Sequence, residues 1–207
     1  LLKEDIGAEV TVVSPDFDEI DDILYTAGAK GVDKLIKIAA DYEDEGLNNH
    51  ALASIFLPFA KEIQPDLILT GVSNHNGMDG SLGALLAEKM GISYVGYVSS
   101  VEIEAGKAIV EKDYPGGLKA KFEVKLPAVL GISSAKTPPR YVPISKVRQA
   151  MKTTEIEEQE GELDLSGAVK IEKMYEHEVA EKAEMIAGNV DEIVQRLIEI
   201  LKDQDLV

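Results

Sequence analysis

Short, unbroken apolar runs alternate with amphipathic stretches along the first 132 residues, and this alternation limits the fold more than any other feature. Residues 10–13 (Val-Thr-Val-Val), 32–38, 67–70 (Leu-Ile-Leu-Thr), 94–98 and 127–132 are too short to be helices and carry few polar side chains. Between them, residues 16–29 place Phe17, Ile20, Ile23 and Leu24 at helical spacing, and 48–63 and 81–90 read as further helices. Strands buried on both faces and separated by helices make a parallel sheet covered on both sides. The expected class is therefore α/β, a doubly wound and mostly parallel sheet. The punctuation agrees: Gly28 and Gly31 close the first of these helices, Asn48 caps the second and Pro65 ends it. Pro58 inside that helix is expected to kink it.

Residues 1–6 read as the last turns of a helix capped by Gly7. A helix needs several turns to be worth forming, so a preceding segment outside this sequence is expected. After residue 98 the pattern changes. Residues 101–104, 108–114 and 118–124 alternate polar and apolar, separated by Ala105-Gly106 and Pro115-Gly116-Gly117, and read as antiparallel hairpin strands. Residues 144–152 read as a short helix. Residues 153–178 are highly charged with little periodicity and read as an extended arm. Residues 190–202 form a last amphipathic helix with Ile193, Val194, Leu197, Ile198 and Leu201 on one face. The expected division is a core over 1–152 and an arm with a helix over 153–207.

At 207 residues and 45% hydrophobic, the chain can build a substantial core. It has no run of eighteen apolar residues and no signal-peptide pattern, so no membrane insertion is expected and cytoplasm is the default location. The absence of cysteine excludes disulfides, thiolate metal sites and cysteine nucleophiles. The net charge of −17 repels phosphate backbones, so nucleic-acid binding is not expected. Much of that charge lies in residues 151–207, where 16 acidic and 6 basic side chains give a local net of −10. This can be a solvated tail or a docking segment for a basic partner.

In open α/β sheets ligands bind beyond the carboxyl ends of the strands. The strand over 67–70 ends at Gly71 and runs through a loop containing Gly77, Gly80 and Gly83 straight into a helix. Glycines let backbone approach a ligand closely, and a helix start offers free N–H groups to a phosphate. Ser14, at the end of the first strand, can wall the same crevice. Spacing alone leaves two readings open, a phosphate cradle and an ordinary strand-to-helix connection. The loop is neither a G-x-G-x-x-G fingerprint nor a P-loop. His50, His75 and His177 share no ligand spacing, so no metal site is expected, and no catalytic triad can be argued.

At this loop the sequence resembles the β subunit of electron-transfer flavoproteins. Gly71, Gly77, Gly80 and Gly83, then Leu86-Ala87-Glu88 and Gly91-Ile92, match the family's glycine-rich loop and the helix after it. Gly31-Val32-Asp33, Gly116-Gly117, Leu126-Pro127-Ala128-Val129, Pro139-Arg140-Tyr141 and Ala150-Met151-Lys152 follow the family order from about residue 8 to 155. The resemblance implies a Rossmann-like, adenine-nucleotide-binding fold. It implies a heterodimer with an α subunit that carries most of the FAD site and exchanges electrons with dehydrogenases. On this subunit it implies AMP or a second FAD, with the phosphate end on Asn76, Gly77, Met78, Asp79, Gly80, Ser81, Leu82 and Gly83. No catalytic turnover by this chain alone is expected. The arm would include a recognition loop for dehydrogenases, with Leu163 and Leu165 as its leucines, or these would simply pack against the α subunit.

Two loop positions depart from the family. Asn76 stands where the family has Asp, and Asp79 stands where it has a Thr whose hydroxyl suits a phosphate oxygen. Pro115 replaces the usual acid before Gly116-Gly117. A carboxylate about 4 Å from a phosphate charge costs about 4 kcal/mol at an effective dielectric of 20, about a thousandfold in affinity. Asp79 can avoid this by capping the helix and pointing away, or by sharing a Mg²⁺. The departures imply a divergent member or a nucleotide site that has decayed. An adenine-nucleotide sensor and a scaffold subunit without redox work remain the alternatives to an electron carrier.

Overall fold

The computed structural model describes residues 2–40, 48–73, 79–134, 139–164, 173, 175–176 and 185–206. The chain divides into two compact units, Leu1–Ile171 and Glu172–Val207.

The first unit opens with α1 (Leu2–Ile6), which ends as expected at Gly7, whose N–H donates to the Lys3 carbonyl at 2.9 Å. Strand β1 (Thr11–Pro15) follows, then α2 (Ile20–Ala29) and β2 (Lys34–Ala39). The helix expected from residue 16 starts at Ile20. Residues 16–19 instead form a turn, with the Asp16 N–H on the Ile38 carbonyl at 2.8 Å and Glu19 left-handed at φ 64°. The turn between α2 and β2 is held by Asp33. Its carboxylate takes the Lys3 ammonium at 2.5 Å and the Val10 N–H at 2.8 Å. These two donors, Lys3 first, hold the Asp33 carboxyl below its ordinary range.

Helix α3 (Asn49–Ile63) is capped by Asn48, whose side-chain oxygen accepts the His50 and Ala51 N–H groups at 3.0 and 3.1 Å. It continues as one helix through Pro58. Strand β3 (Leu67–Gly71), α4 (Leu82–Met90) and β4 (Ser93–Glu104) come next. β4 joins two strands read separately in the sequence. Its first half pairs in parallel with β7 (Ala128–Ile132), and its second half pairs antiparallel with β5 (Lys107–Tyr114). A bulge around Tyr97, which sits at φ 60°, shifts the register and lets one strand serve both partners. A single 3₁₀ turn at Pro115–Gly117 connects β5 to β6 (Leu118–Lys125). After β7 come α5 (Ile144–Thr153) and β8 (Ile156–Glu160).

The strands form two sheets rather than one. β1, β2 and β8 make a parallel sheet in the order β1-β2-β8, and the other five run in the order β3-β7-β4-β5-β6. Among the described residues four of the six ladders are parallel, in keeping with the expected class. Among the described residues no ladder joins β1 to β3. β8 lies within the segment read as an extended arm and is the only strand there among the described residues. It runs beside β2 with Ile36 opposite Glu157.

Two clusters anchor the unit. Val98, Ala108, Val110, Val124, Ala128 and Leu130 are buried on the five-stranded sheet. Ile38, Ile55 and Phe59 join β2 to α3, and Val13, Phe56 and Leu163 pack around them. Each fully buried aliphatic side chain contributes about 1.5–3 kcal/mol. α4 lies against β3, β4 and β7 and beside α3, so the starts of both helices meet next to the carboxyl end of β3.

In the second unit α6 (Val190–Asp203) starts with a reciprocal cap. The Asn189 side chain accepts the Glu192 N–H at 3.1 Å, and the Glu192 carboxylate accepts the Asn189 N–H at 2.9 Å. No residue of α6 is buried. No helix among the described residues is long and apolar enough to cross a membrane.

Candidate functional site

The loop after β3 is built from the strand outward. Val72, just past Gly71, is buried, and the chain is described again from Asp79. Asn76, Gly77 and Met78 lie outside the described residues. Gly80 is left-handed at φ 58°, and a Cβ there would sit 1.8 Å from the Val72 carbonyl oxygen. A Cβ on Gly83 would sit 2.5 Å from Thr70 Oγ1 and 2.9 Å from Tyr94 Cε2. The bare sides of both glycines therefore face the protein's own strand and ring. Their spacing satisfies packing of α4 on the sheet, which is the plainer of the two readings open from the sequence. Thr70 Oγ1 is buried beneath Gly83 and has no hydrogen-bond partner among the described residues.

Asp79 stands just ahead of α4 and binds donors of its neighbours. Its carboxylate accepts the Ser81 N–H at 3.3 Å and the Ser81 hydroxyl at 3.1 Å, and the amide of buried Asn49 donates to it as well. Ser81, the residue before Leu82, makes no cap bond with its own side chain. The negative group thus ties the first turn of α3 to the residue that precedes α4. Asn49 was missed in the sequence, although two successive asparagines before a helix were visible there. Ser14 lies on β1 opposite Lys37 and donates to its neighbour's carbonyl, Pro15, at 3.1 Å. Among the described residues it makes no hydrogen bond to 79–83.

Tyr94 is a second residue the sequence did not single out. Its ring lies against Gly83, and its hydroxyl would be 2.6 Å from a Cβ on Gly96 and 2.8 Å from one on Gly131. Three glycines make room for one phenol. Burial, and then the nearby Tyr97, push that phenol above its ordinary pKa. The available signal was a glycine inside each of two otherwise bulky strands.

At the carboxyl end of β1 a different cluster forms. Lys37, only 11% exposed, projects from β2 toward Asp16 at 3.5 Å, Asp21 at 3.2 Å and Glu158 at 3.1 Å. Bonds to Glu158 and Asp21 raise its pKa well above the ordinary lysine value, against the opposing cost of burial. A cavity of about 360 Å³ beside it is lined by acids of the turn and of α2. The partners are 40–71% exposed, so the charge interactions are screened. Lys37→Met is expected to lower stability by about 1–2 kcal/mol at pH 7. The folded pKa is raised, so this contribution is complete below the unfolded value of about 10.4 and fades as pH rises through the folded value. Urea unfolding at pH 7 and pH 11 measures it, and a gap of equal size at both would place the effect in packing instead.

In the arm, Leu163 packs against Ile38, Ile55 and Phe59. The Gly161 N–H donates to the Ala39 carbonyl at 2.8 Å, which fixes the arm alongside β2. Leu165 lies outside the described residues.

A sequence model of the electron transfer flavoprotein domain matches residues 1–163. The chain belongs to the electron transfer flavoprotein family. Over nearly its whole length it is similar to the family's β subunits. It is 29% identical to the electron transfer flavoprotein subunit beta of Methylophilus methylotrophus, over 98% of this chain and 80% of that one. It is 28% identical to that of Thermoanaerobacterium thermosaccharolyticum, over 100% of this chain and 82% of that one. It is also 26% identical to the caffeyl-CoA reductase-Etf complex subunit CarD of Acetobacterium woodii, over 72% of this chain and 57% of that one. The family resemblance read from about residue 8 to 155 is borne out.

The family implies association with flavin or nucleotide. At the start of α4 the Ser81 N–H and hydroxyl and the Asn49 amide are engaged by an anion of the chain itself.

Proposed function

We propose that this chain works as the β subunit of an electron transfer flavoprotein. It pairs with an α subunit that holds FAD, and the heterodimer carries electrons between dehydrogenases and a redox acceptor. The observation that carries this reading is the likeness to β subunits along nearly the full chain, with the family domain spanning 1–163. This chain supplies a rigid α/β body and no catalytic turnover of its own. Its α6, with an uncovered apolar face, seats on the α subunit. The segment with Leu163 and Leu165 contacts the dehydrogenase, rooted by the packing of Leu163 on Phe59 and Ile38.

The family reading would also give this chain AMP, or a second FAD as in a bifurcating carrier. The engaged donors around Asp79 count against that part, and they weigh equally against a free-standing adenine-nucleotide sensor. A scaffold without redox work differs from the carrier in one readout. Co-expression with an α subunit should give a 1:1 complex with one flavin, whose absorbance bleaches when a dehydrogenase and its substrate are added. A chain that stays monomeric, or a complex without flavin, would overturn the proposal.

A further inference from the structure

A helix start leaves several N–H groups unpaired and carries partial positive charge, so it attracts negative groups, whether a ligand's or a side chain's. At α4 a carboxylate of the chain stands just before the first turn. Asp79 Oδ1 accepts the Ser81 N–H at 3.3 Å and the Asn49 amide, and Oδ2 accepts the Ser81 hydroxyl at 3.1 Å. Asn49 is itself buried, at 8% exposure, on the first turn of α3. One carboxylate therefore bridges two helix starts beside the carboxyl end of β3. Next to it Gly80 packs against the Val72 carbonyl, 1.8 Å from where a Cβ would stand.

We propose that the Asp79 carboxylate keeps nucleotide phosphate away from the start of α4, so that this subunit excludes adenine nucleotide from that seat. The inference rests on the reading of the chain as a β subunit of this family, and it departs from what that family implies for the loop. A phosphate entering the seat would have to displace the carboxylate from three donors or sit beside it. None of Asn49, Asp79 and Ser81 is cationic, so nothing in that trio offsets the added charge. Two like charges about 4 Å apart at an effective dielectric of 20 weaken binding about a thousandfold. In place of a ligand, the loop gains a fixed tie between α3 and α4.

The test is AMP binding by equilibrium dialysis to the full chain, alone and co-expressed with an α subunit, for the wild type, Asp79→Asn and Asp79→Thr. Asp79→Asn keeps an acceptor oxygen for Ser81 and removes the charge, so it is the variant least disturbed in folding. Nucleotide released from the denatured complex is identified in parallel. The expected result is wild type without bound AMP or a second flavin, and AMP affinity at least about a hundredfold higher in one of the variants. Stoichiometric AMP or a second flavin in the wild type would overturn the proposal. So would both folded variants binding AMP no better than wild type, since Asp79 would then not be the excluding group. Failure of the chain to pair with a flavin-bearing subunit would overturn the β-subunit reading alone, because dialysis of the single chain still reads the seat.

Discussion

Gly80→Ala will destabilise the first unit by about 3 kcal/mol or more, whereas Gly71→Ala, nine residues earlier, will change stability by no more than about 0.5 kcal/mol. The difference follows from where each missing side chain would go. Gly80 is left-handed at φ 58°, a conformation that costs an L-residue about 1–2 kcal/mol. Its Cβ would also fall 1.8 Å from the Val72 carbonyl oxygen. That atom is backbone leaving β3, so relief requires the loop to lift from the strand and to carry Asp79 away from Ser81. Overpacking of a site that cannot yield costs a further 1–3 kcal/mol or so. At Gly71 the nearest atom to a Cβ is the Ser73 carbonyl at 3.9 Å, an ordinary contact. Urea midpoints of the two variants against wild type measure the contrast. Equal midpoints would mean that the glycine at 80 is not required by packing.

Apolar runs such as Leu67-Ile68-Leu69 and Ala128-Val129-Leu130 announce strands because burial on both faces leaves few other choices. β8 has the opposite character. Ile-Glu-Glu-Gln-Glu has poor strand propensity and no clear period, and it becomes a strand because β2 offers a ladder and Lys37 offers a charge partner for Glu158. β4 read as two strands because Ser99-Ser100 resembles a break, while a bulge lets the strand continue through it. The split into two sheets depends on which edges meet, and an apolar run does not name its neighbour.

At the site, glycine spacing correctly marked tight backbone at 80 and 83. It could not tell whether the open side faced a ligand or the chain itself, since Val72, Thr70 and Tyr94 decide that only in three dimensions. The substitution at Asp79 was visible as a charge in an unexpected place. Its partner Asn49, 30 residues away in sequence, was not. The Lys37 cluster likewise draws Asp16, Asp21 and Glu158 from three separate segments. Local pattern fixes what each segment can become, whereas sites such as these are assembled from long-range neighbours.

Leu197→Glu combined with Ile198→Glu will abolish pairing with the α subunit while leaving the first unit's stability unchanged. Val194, Leu197, Ile198 and Leu201 lie on one face of α6 and are 38–47% exposed. An amphipathic helix with its apolar face uncovered is expected to bury that face against a partner. Completing the burial of one aliphatic side chain contributes about 1–2 kcal/mol here, and forcing a carboxylate into the same place adds a desolvation cost of a few kcal/mol. Two such changes total at least about 5 kcal/mol, which raises Kd by more than about a thousandfold. The helix itself should survive. Glutamate is a good helix former, and the reciprocal cap between Asn189 and Glu192 is untouched. Circular dichroism checks the helix, a thermal melt checks the core, and size exclusion of the co-expressed subunits reads the pairing. A double variant that retains a 1:1 complex at wild-type affinity would remove α6 from the interface, and the acidic arm would then have to supply the contact.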